Sequence, residues 1–466
     1  MPPSLGQFRD ARREAAGIDL LARLVEVGQS GVSLRTLGGG RAGEVRFGRF
    51  LRCDAVNPGE MIAAALAHTK GLVSGRHILA IQDTTTLRDD GDQRSLNLHP
   101  MIAVDAEDGA LLGLVHAELL ARDGSAAQVH HNKRRFEEKQ SHRWLTAIRA
   151  SAALIAGGAR AVTVVGDREG DIYEDFALRP PEVAVLFRAL HDRLLSDGAS
   201  LFGKSAGWKE MGRERIRVPA APGRRARTAV LALRAGVVTL KRPKRNRAAE
   251  AARLPATVTL TLVEAREVDP PTGSEPVLWR LLTSHIVTCF AAARQITGFY
   301  RQRWTIEQLF RTMKTKGFDI EASRVAEGGP FEKLAIATLI AAVEVLSLVR
   351  ERDGAAGRPA SDLFAADEQP VIAAISGSLE GKTARQKNPH PPGSLAHAAW
   401  VCARLGGWTG YYGKPGPVVM LHGMLRLQAM IEGFRLAGNL IAPAPRRPRD
   451  IYTIETELQN LLSPAS

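Results

Sequence analysis

Cysteine is scarce in this chain. It occurs three times in 466 residues, at Cys53, Cys289 and Cys402. None of the three forms the C-x-x-C spacing of a zinc or redox site. A disulfide framework is therefore excluded as an organising principle, a reducing cytoplasm is the natural compartment, and any bound metal calls for oxygen ligands. Long apolar runs are also missing. No stretch reaches the roughly eighteen residues needed to span a bilayer. The greasiest, Leu334 to Val349, contains Glu344 and reads as buried helix. Met1 to Arg13 carries charges of both signs and no apolar block, so a signal peptide is not expected. Acidic residues fall short of basic ones, 49 against 63, leaving a formal charge of +14. That surplus favours polyanionic partners, with simple solubility charge as the bland alternative. Its distribution is uneven. Residues 201–250 hold 14 Lys and Arg against Glu210, Glu214 and Glu250, as a surface tracking phosphates requires.

What is present falls into blocks. The first seventy or so residues read as helical, with a stripe at Ile18, Leu21 and Val25 and a break at Gly38-Gly39-Gly40. From Ile78 the period changes. Ile78-Leu79-Ala80-Ile81 is a short buried strand ending in Gln82-Asp83. Two further apolar runs, from Met101 and from Leu111, flank Asp108-Gly109, a hairpin signal. An amphipathic helix is expected from Trp144 to Ala156. Another strand, Ala161 to Val165, ends at Gly166-Asp167. Strands then helix then strand, each key strand ending in Asp, suggest an α/β core of RNase H-like type. Residues 182–285 read as a β-rich basic insertion. Helix is expected from Cys289 to Lys316 and from Phe331 to Arg350, then a Gly/Pro/Lys-rich linker over 354–393, then a helical C-terminal module.

The candidate chemistry sits at strand ends and on one helix. Asp83 and Asp167 each follow an apolar β run, where two carboxylates on adjacent strands can converge; a lone Asp there is usually a turn residue or cap. Continued as one helix, residues 300–314 put Tyr300, Arg303, Glu307 and Lys314 within about 60° of each other, beside an apolar face of Ile306, Leu309, Phe310 and Met313. Ordinary i, i+4 pairing accounts for Arg303 and Glu307 but not for the added alignment of Tyr300 and Lys314. Three carboxylates suit Mg²⁺ or Mn²⁺, hard cations that take oxygen ligands, and a pair of such ions can activate an attacking oxygen and stabilise a leaving one.

The segment Tyr300-Arg301-Gln302-Arg303-Trp304-Thr305-Ile306-Glu307, continuing to Lys314, resembles the Y-x2-R-x3-E-x6-K signature of the insertion-sequence-four family of bacterial cut-and-paste DDE transposases. Gln82-Asp83-Thr84-Thr85 is similar to that family's first Asp motif and Asp167-Arg168-Glu169-Gly170-Asp171-Ile172-Tyr173 to its second, with Gly170 where alanine is common. The likeness continues at Glu138-Lys139-x-Ser141-x-x-Trp144, at Trp279 to Ser284 and at Ala403 to Gly407. The resemblance implies an RNase H-like catalytic core interrupted by a β-rich insertion. A helical N-terminal DNA-binding module would take residues 1–70, the core 71–181 and 286–353, the insertion 182–285, the linker 354–393 and a helical C-terminal dimerisation module 394–466. Asp83, Asp167 and Glu307 would be the catalytic residues, holding two Mg²⁺ or Mn²⁺ ions. Tyr300, Arg303 and Lys314 would contact DNA phosphates, and Trp279 would stack on a flipped base, its alternative being a strand core residue. The partners implied are double-stranded DNA, both transposon ends and target, and a second copy of the chain on that DNA, in a bacterial cytoplasm with no membrane. Few residues precede Phe8-Arg9-Asp10-x-x-Arg13, where family members carry a longer end-contacting segment, so recognition of ends by this chain is an open expectation. The competing classes are a non-catalytic DNA-binding inhibitor and a general RNase H-like nuclease. His130-His131 with Lys133-Arg134-Arg135 is expected to be a DNA-facing loop rather than a metal site. Asp171 is expected to cap or support, and Glu169 to pair with Arg168.

Overall fold

The computed structural model describes residues 3–27, 32–89, 94–123, 136–220, 225–244, 253–314, 317–325 and 328–441. The expected basic loop at 130–135 lies outside them. The N-terminal residues form helices α1 (Ala11–Val27), α2 (Leu34–Gly38), α3 (Arg41–Arg52) and α4 (Pro58–Lys70). Gly39 ends α2 in the left-handed conformation at φ 60°, which glycine adopts without a Cβ penalty. Asn57 caps α4: its Oδ1 accepts from Glu60 N at 2.8 Å, with Pro58 at the first helical position, where its missing N–H has no cost.

The sheet begins with β1 (His77–Gln82), β2 (Thr85–Asp89), β3 (Arg94–Asp105) and β4 (Leu111–Asp123). β3 and β4 make the expected hairpin, with Gly109 at φ +73° and Asp105 Oδ1 accepting from Glu107 N at 2.7 Å in the turn. Helix α5 (His142–Ala156) crosses to β5 (Ala161–Gly166), which pairs parallel with β1. A short helix α6 (Tyr173–Ala177) leads to β6 (Val183–Arg188), parallel to β5. The run β4-β3-β1-β5-β6, antiparallel on one side of β1 and parallel on the other, is the RNase H-like arrangement expected from the strand pattern.

The sheet does not stop there. After α7 (Leu201–Ala206) come β7 (Gly212–Val218), β8 (Arg227–Lys241), β9 (Thr257–Val268) and β10 (Leu278–Thr283), and β10 pairs antiparallel with β6. The strands of the basic segment thus extend the core sheet through continuous hydrogen bonding. Alternation along each strand splits the core. Leu79, Ile81, Val165 and Leu281 face one apolar cluster, shared with the long helix; Ile78, Ala80, Val164 and Leu282 face the other, with Trp144 of α5.

The helical region after β10 differs from expectation. It is two helices, α8 (Phe290–Gln302) and α9 (Trp304–Met313), parted at Arg303. Arg303 N–H donates to Tyr300 O and Ile306 N–H to Arg303 O, both at 3.1 Å, so the junction tightens to i→i+3 bonding. The buried helix α10 (Gly329–Glu351) follows. The linker expected over 354–393 gives way to packed structure: it holds α11 (Gln369–Leu379), with Val371 and Ile372 buried in the core. Apolar residues at helical spacing supply the packing that Gly and Pro content obscured. Helices α12 (Leu395–Leu405) and α13 (Pro417–Ile441) close the described chain.

Candidate functional site

Asp83 and Asp167 stand immediately after β1 and β5, neighbouring parallel strands whose last bridged pair is Ile81 with Val165. Open α/β sheets bind ligands at such carboxyl ends. Glu307 comes from the first turn of α9. All three carboxylates meet one cation. Arg303 Nη1 is 3.0 Å from Asp83 Oδ2, and its Nη2 is 2.6 Å from Glu307 Oε1 and 3.8 Å from Asp167 Oδ2. The guanidinium is nearly buried, whereas the carboxylate side chains keep between 19% and 33% of their exposure, so the cluster opens to solvent on the acid side.

Each group is further fixed. Thr84 N–H donates to Asp83 Oδ1 at 2.8 Å. Burial pushes the Asp83 carboxyl up to about 6, with repulsion from Asp167 and Glu169 adding to it, against the Thr84 N–H and Arg303. Tyr300 donates its phenol to Asp167 Oδ1 at 3.3 Å. Burial, then the Asp167 charge, raises that phenol to about 12, so it stays a donor. Burial alone disfavours the Arg303 cation, but Tyr300, Asp167, Asp83 and Glu307 outweigh it and raise its pKa.

The other expected residues divide. Trp279, on β10, packs edge-on against Tyr300 with ring centroids 5.5 Å apart, a half-buried aromatic beside the cluster. Lys314 does not join the stripe. It ends α9 with a non-helical backbone, and its Nζ reaches Thr86 O at 2.6 Å and Glu321 Oε1 at 2.8 Å. The Thr86 carbonyl adjoins a register shift in the β2–β3 ladder. Tyr300, Arg303 and Lys314 are thus all engaged by the protein itself in this conformation.

Two residues that no sequence signal singled out support the site from behind. Arg143 Nε donates to Thr84 Oγ1 at 3.1 Å and its Nη2 to Glu169 Oε2 at 2.9 Å. Glu169 therefore pairs with Arg143 rather than with Arg168. His99, fully buried, lies between Thr84 Oγ1 at 2.9 Å and Gln82 Oε1 at 3.0 Å, and burial holds it neutral. The donor chain runs from Arg143 to Thr84 to His99 Nδ1, leaving Nε2–H for Gln82. Arg143 lay inside the Ser141-x-x-Trp144 motif; His99 had nothing to mark it, because strand alternation hides polar residues in a core. Asp171 is an anchor: its Oδ2 accepts from Leu190 N at 2.8 Å and His191 N at 3.1 Å, and Arg193 bonds its Oδ1.

The family model for the transposase DDE domain matches residues 77–343. The chain belongs to the DDE transposases. The match runs from the first residue of β1 into α10, so it takes in both strand-end Asp residues, the whole basic segment and Glu307. The family implies DNA binding and generally uses divalent metal. The donor set suits that chemistry, since Asp83, Asp167 and Glu307 offer carboxylate oxygens and no sulfur. Among the described residues, no three His, Cys, Asp or Glu side chains are grouped to hold an ion as they stand. The Arg303 guanidinium fills the space between the acids. The described helices include none long and apolar enough to cross a membrane.

Proposed function

We propose that this transposase belongs to the insertion-sequence-four group and moves DNA by cut-and-paste transposition in a bacterial cytoplasm. One observation carries the proposal: three carboxylates from two strand ends and a helix converge on a single guanidinium. Acids crowded this way need a cation, and Asp83, raised to about 6 chiefly by burial and further by the Asp167 charge, gains from one. Asp83, Asp167 and Glu307 would hold two Mg²⁺ or Mn²⁺ ions. Such ions lower the cost of forming the attacking oxygen and of releasing the leaving one. Tyr300 and Arg303 would turn from the acids to the phosphate beside the cut, offering neutral and charged donors respectively. Lys314 would join them on leaving Thr86 O. Trp279, already against Tyr300, would receive an unpaired base, stacking being worth about 1–3 kcal/mol. The expected steps are nicking, hairpin formation on the transposon end, hairpin resolution and strand transfer into target DNA. A second copy on the DNA is supported by α13, where Phe434 and Leu436 are more than half exposed.

The test uses as substrate the inverted repeats that the proposal expects to flank the reading frame. Purified protein with Mg²⁺ should yield hairpin products, and Glu307→Gln should abolish them with DNA binding intact. Cleavage surviving in that variant would remove Glu307 from the chemistry. Equal cutting of arbitrary duplexes would instead favour a general nuclease. The filling of the acid cluster by Arg303 favours one second reading, a DNA-binding inhibitor. Specific end binding with no cleavage in Mg²⁺ or Mn²⁺ would select it.

A further inference from the structure

Beside the carboxylate cluster lies a separate cleft of about 650 Å³, within the ~300–1,000 Å³ usual for ligand sites. It opens between the start of α5, the turn after Asp167 and the far end of β8. Asp171, Ile172 and Tyr173 line it, one 3₁₀ turn (Arg168–Gly170) beyond Asp167. Lys139 enters from the α5 side, and Lys241 and Lys244 from the β8 side.

The charge of the lysines in this cleft is uncompensated. Elsewhere in 201–250 part of the cationic surplus is used internally. Arg213 pairs with Glu210, Arg227 with Glu267, Arg234 with Glu264, and Lys204 with Asp197. Lys139, Lys241 and Lys244 have no ion-pair partner among the described residues. The acids in the cleft do not supply one: Asp171 is saturated by Arg193 and two backbone N–H groups, and Glu174 is buried with a partner of its own. The lining they share is partly apolar, with Leu194 at 58% exposure. Point charges in one cleft with apolar lining match phosphates and the bases between them. Only an unpaired strand exposes base faces to such a lining, since a duplex presents phosphates and groove edges.

We infer that this cleft binds an unpaired DNA strand that continues from the strand held at Asp83, Asp167 and Glu307. The inference deepens the proposed function and rests on it only for which strand is held. The occupant is a polynucleotide rather than an acidic peptide because the chain belongs to a DNA-transposing family and the lysines share the cleft with apolar lining.

The experiment measures binding of the full chain in EDTA to two labelled probes by fluorescence anisotropy. One is a blunt duplex; the other is the same duplex with a single-stranded tail. Wild-type protein should prefer the tailed probe. The triple variant Lys139→Ala, Lys241→Ala and Lys244→Ala should bind the tailed probe about tenfold or more weakly, and the blunt duplex less than threefold so. Its log–log salt slope on the tailed probe should fall by about 2, three contacts at about 0.7 each. Leu194→Glu, at an exposed position that leaves the core intact, should also cut tail binding. Equal loss on both probes, or none, overturns the cleft. Displacement of the tail by polyglutamate as readily as by unlabelled single strand overturns the nucleic-acid assignment. A protein that prefers tails but never cleaves in Mg²⁺ or Mn²⁺ keeps the cleft and loses the proposed chemistry. One that cleaves while the triple variant keeps its tail preference loses the cleft alone.

Discussion

Arg303 is the residue around which the site balances. Three carboxylates within reach of one guanidinium repel each other when it is removed, and they remain a fifth to a third exposed. The loss is therefore below that of a fully buried pair, about 1–2 kcal/mol. Arg303→Ala should lower the melting midpoint of the metal-free protein, and Mn²⁺ should restore it by taking up the same charge. Thermal scans across a Mn²⁺ titration check this; an unchanged metal-free midpoint, or one that Mn²⁺ leaves low, would count against it. Asp83 makes a second prediction. Its folded pKa of about 6 lies above the ordinary 3.8, so between these values the folded state holds the proton more tightly. Stability from this group is full below about 4 and is lost as pH rises through 6. Metal-free Asp83→Asn should consequently be more stable than wild type at pH 7.5, with the difference closing toward pH 4. Urea titrations at both values decide it, and a gap independent of pH would refute the assignment.

At the scale of elements, two local features shape the site. The first is the 3₁₀ step at Arg303. A helical wheel turning 100° per residue through 300–314 brings Lys314 onto the stripe, but the interruption and the non-helical end at Lys314 send it to Thr86 instead. Tyr300, Arg303 and Glu307 sit close enough in sequence to stay together across the step. The second is the turn after β5. A Cβ on Gly170 would lie 2.6 Å from Phe187 Cδ1 and 3.1 Å from the Trp144 ring, and one on Gly166 would be 2.7 Å from Phe187. Both rings are buried and cannot yield. Gly170→Ala, harmless by motif comparison, should cost about 1–3 kcal/mol through overpacking. It should also loosen the turn that carries Asp167. Chemical denaturation measures the first effect, and a variant as stable as wild type would show that the rings can move.

Across the whole molecule, one sheet joins what the sequence divides. β10 bonds to β6 on one side and β9 on the other, and Leu281 and Leu282 enter opposite apolar clusters. The basic strands should therefore unfold together with the core. Calorimetry should give one transition for residues 77–343, and Leu282→Ala should destabilise all of it by about 2–5 kcal/mol. Two separate transitions, with the variant moving only one, would show an independent insertion. Much was legible in the sequence. Apolar runs closing on Gln82-Asp83 and Gly166-Asp167 set the strand ends, because buried parallel strands are apolar throughout and polar only where they leave the core. Asp108-Gly109 set the hairpin, and oxygen ligands followed from the shortage of cysteine. Three things needed tertiary structure. Guanidinium contacts between Arg303 and Asp83, 220 positions apart, depend on how β1 and α9 pack. The buried His99–Thr84–Arg143 support joins residues with no periodic relation. Which lysines remain unpaired beside the site was settled by the carboxylates that folding brought to the others. Local sequence fixes backbone period and residue chemistry; partners distant along the chain are chosen by packing, and that choice made an acid triad into a cluster closed by its own arginine.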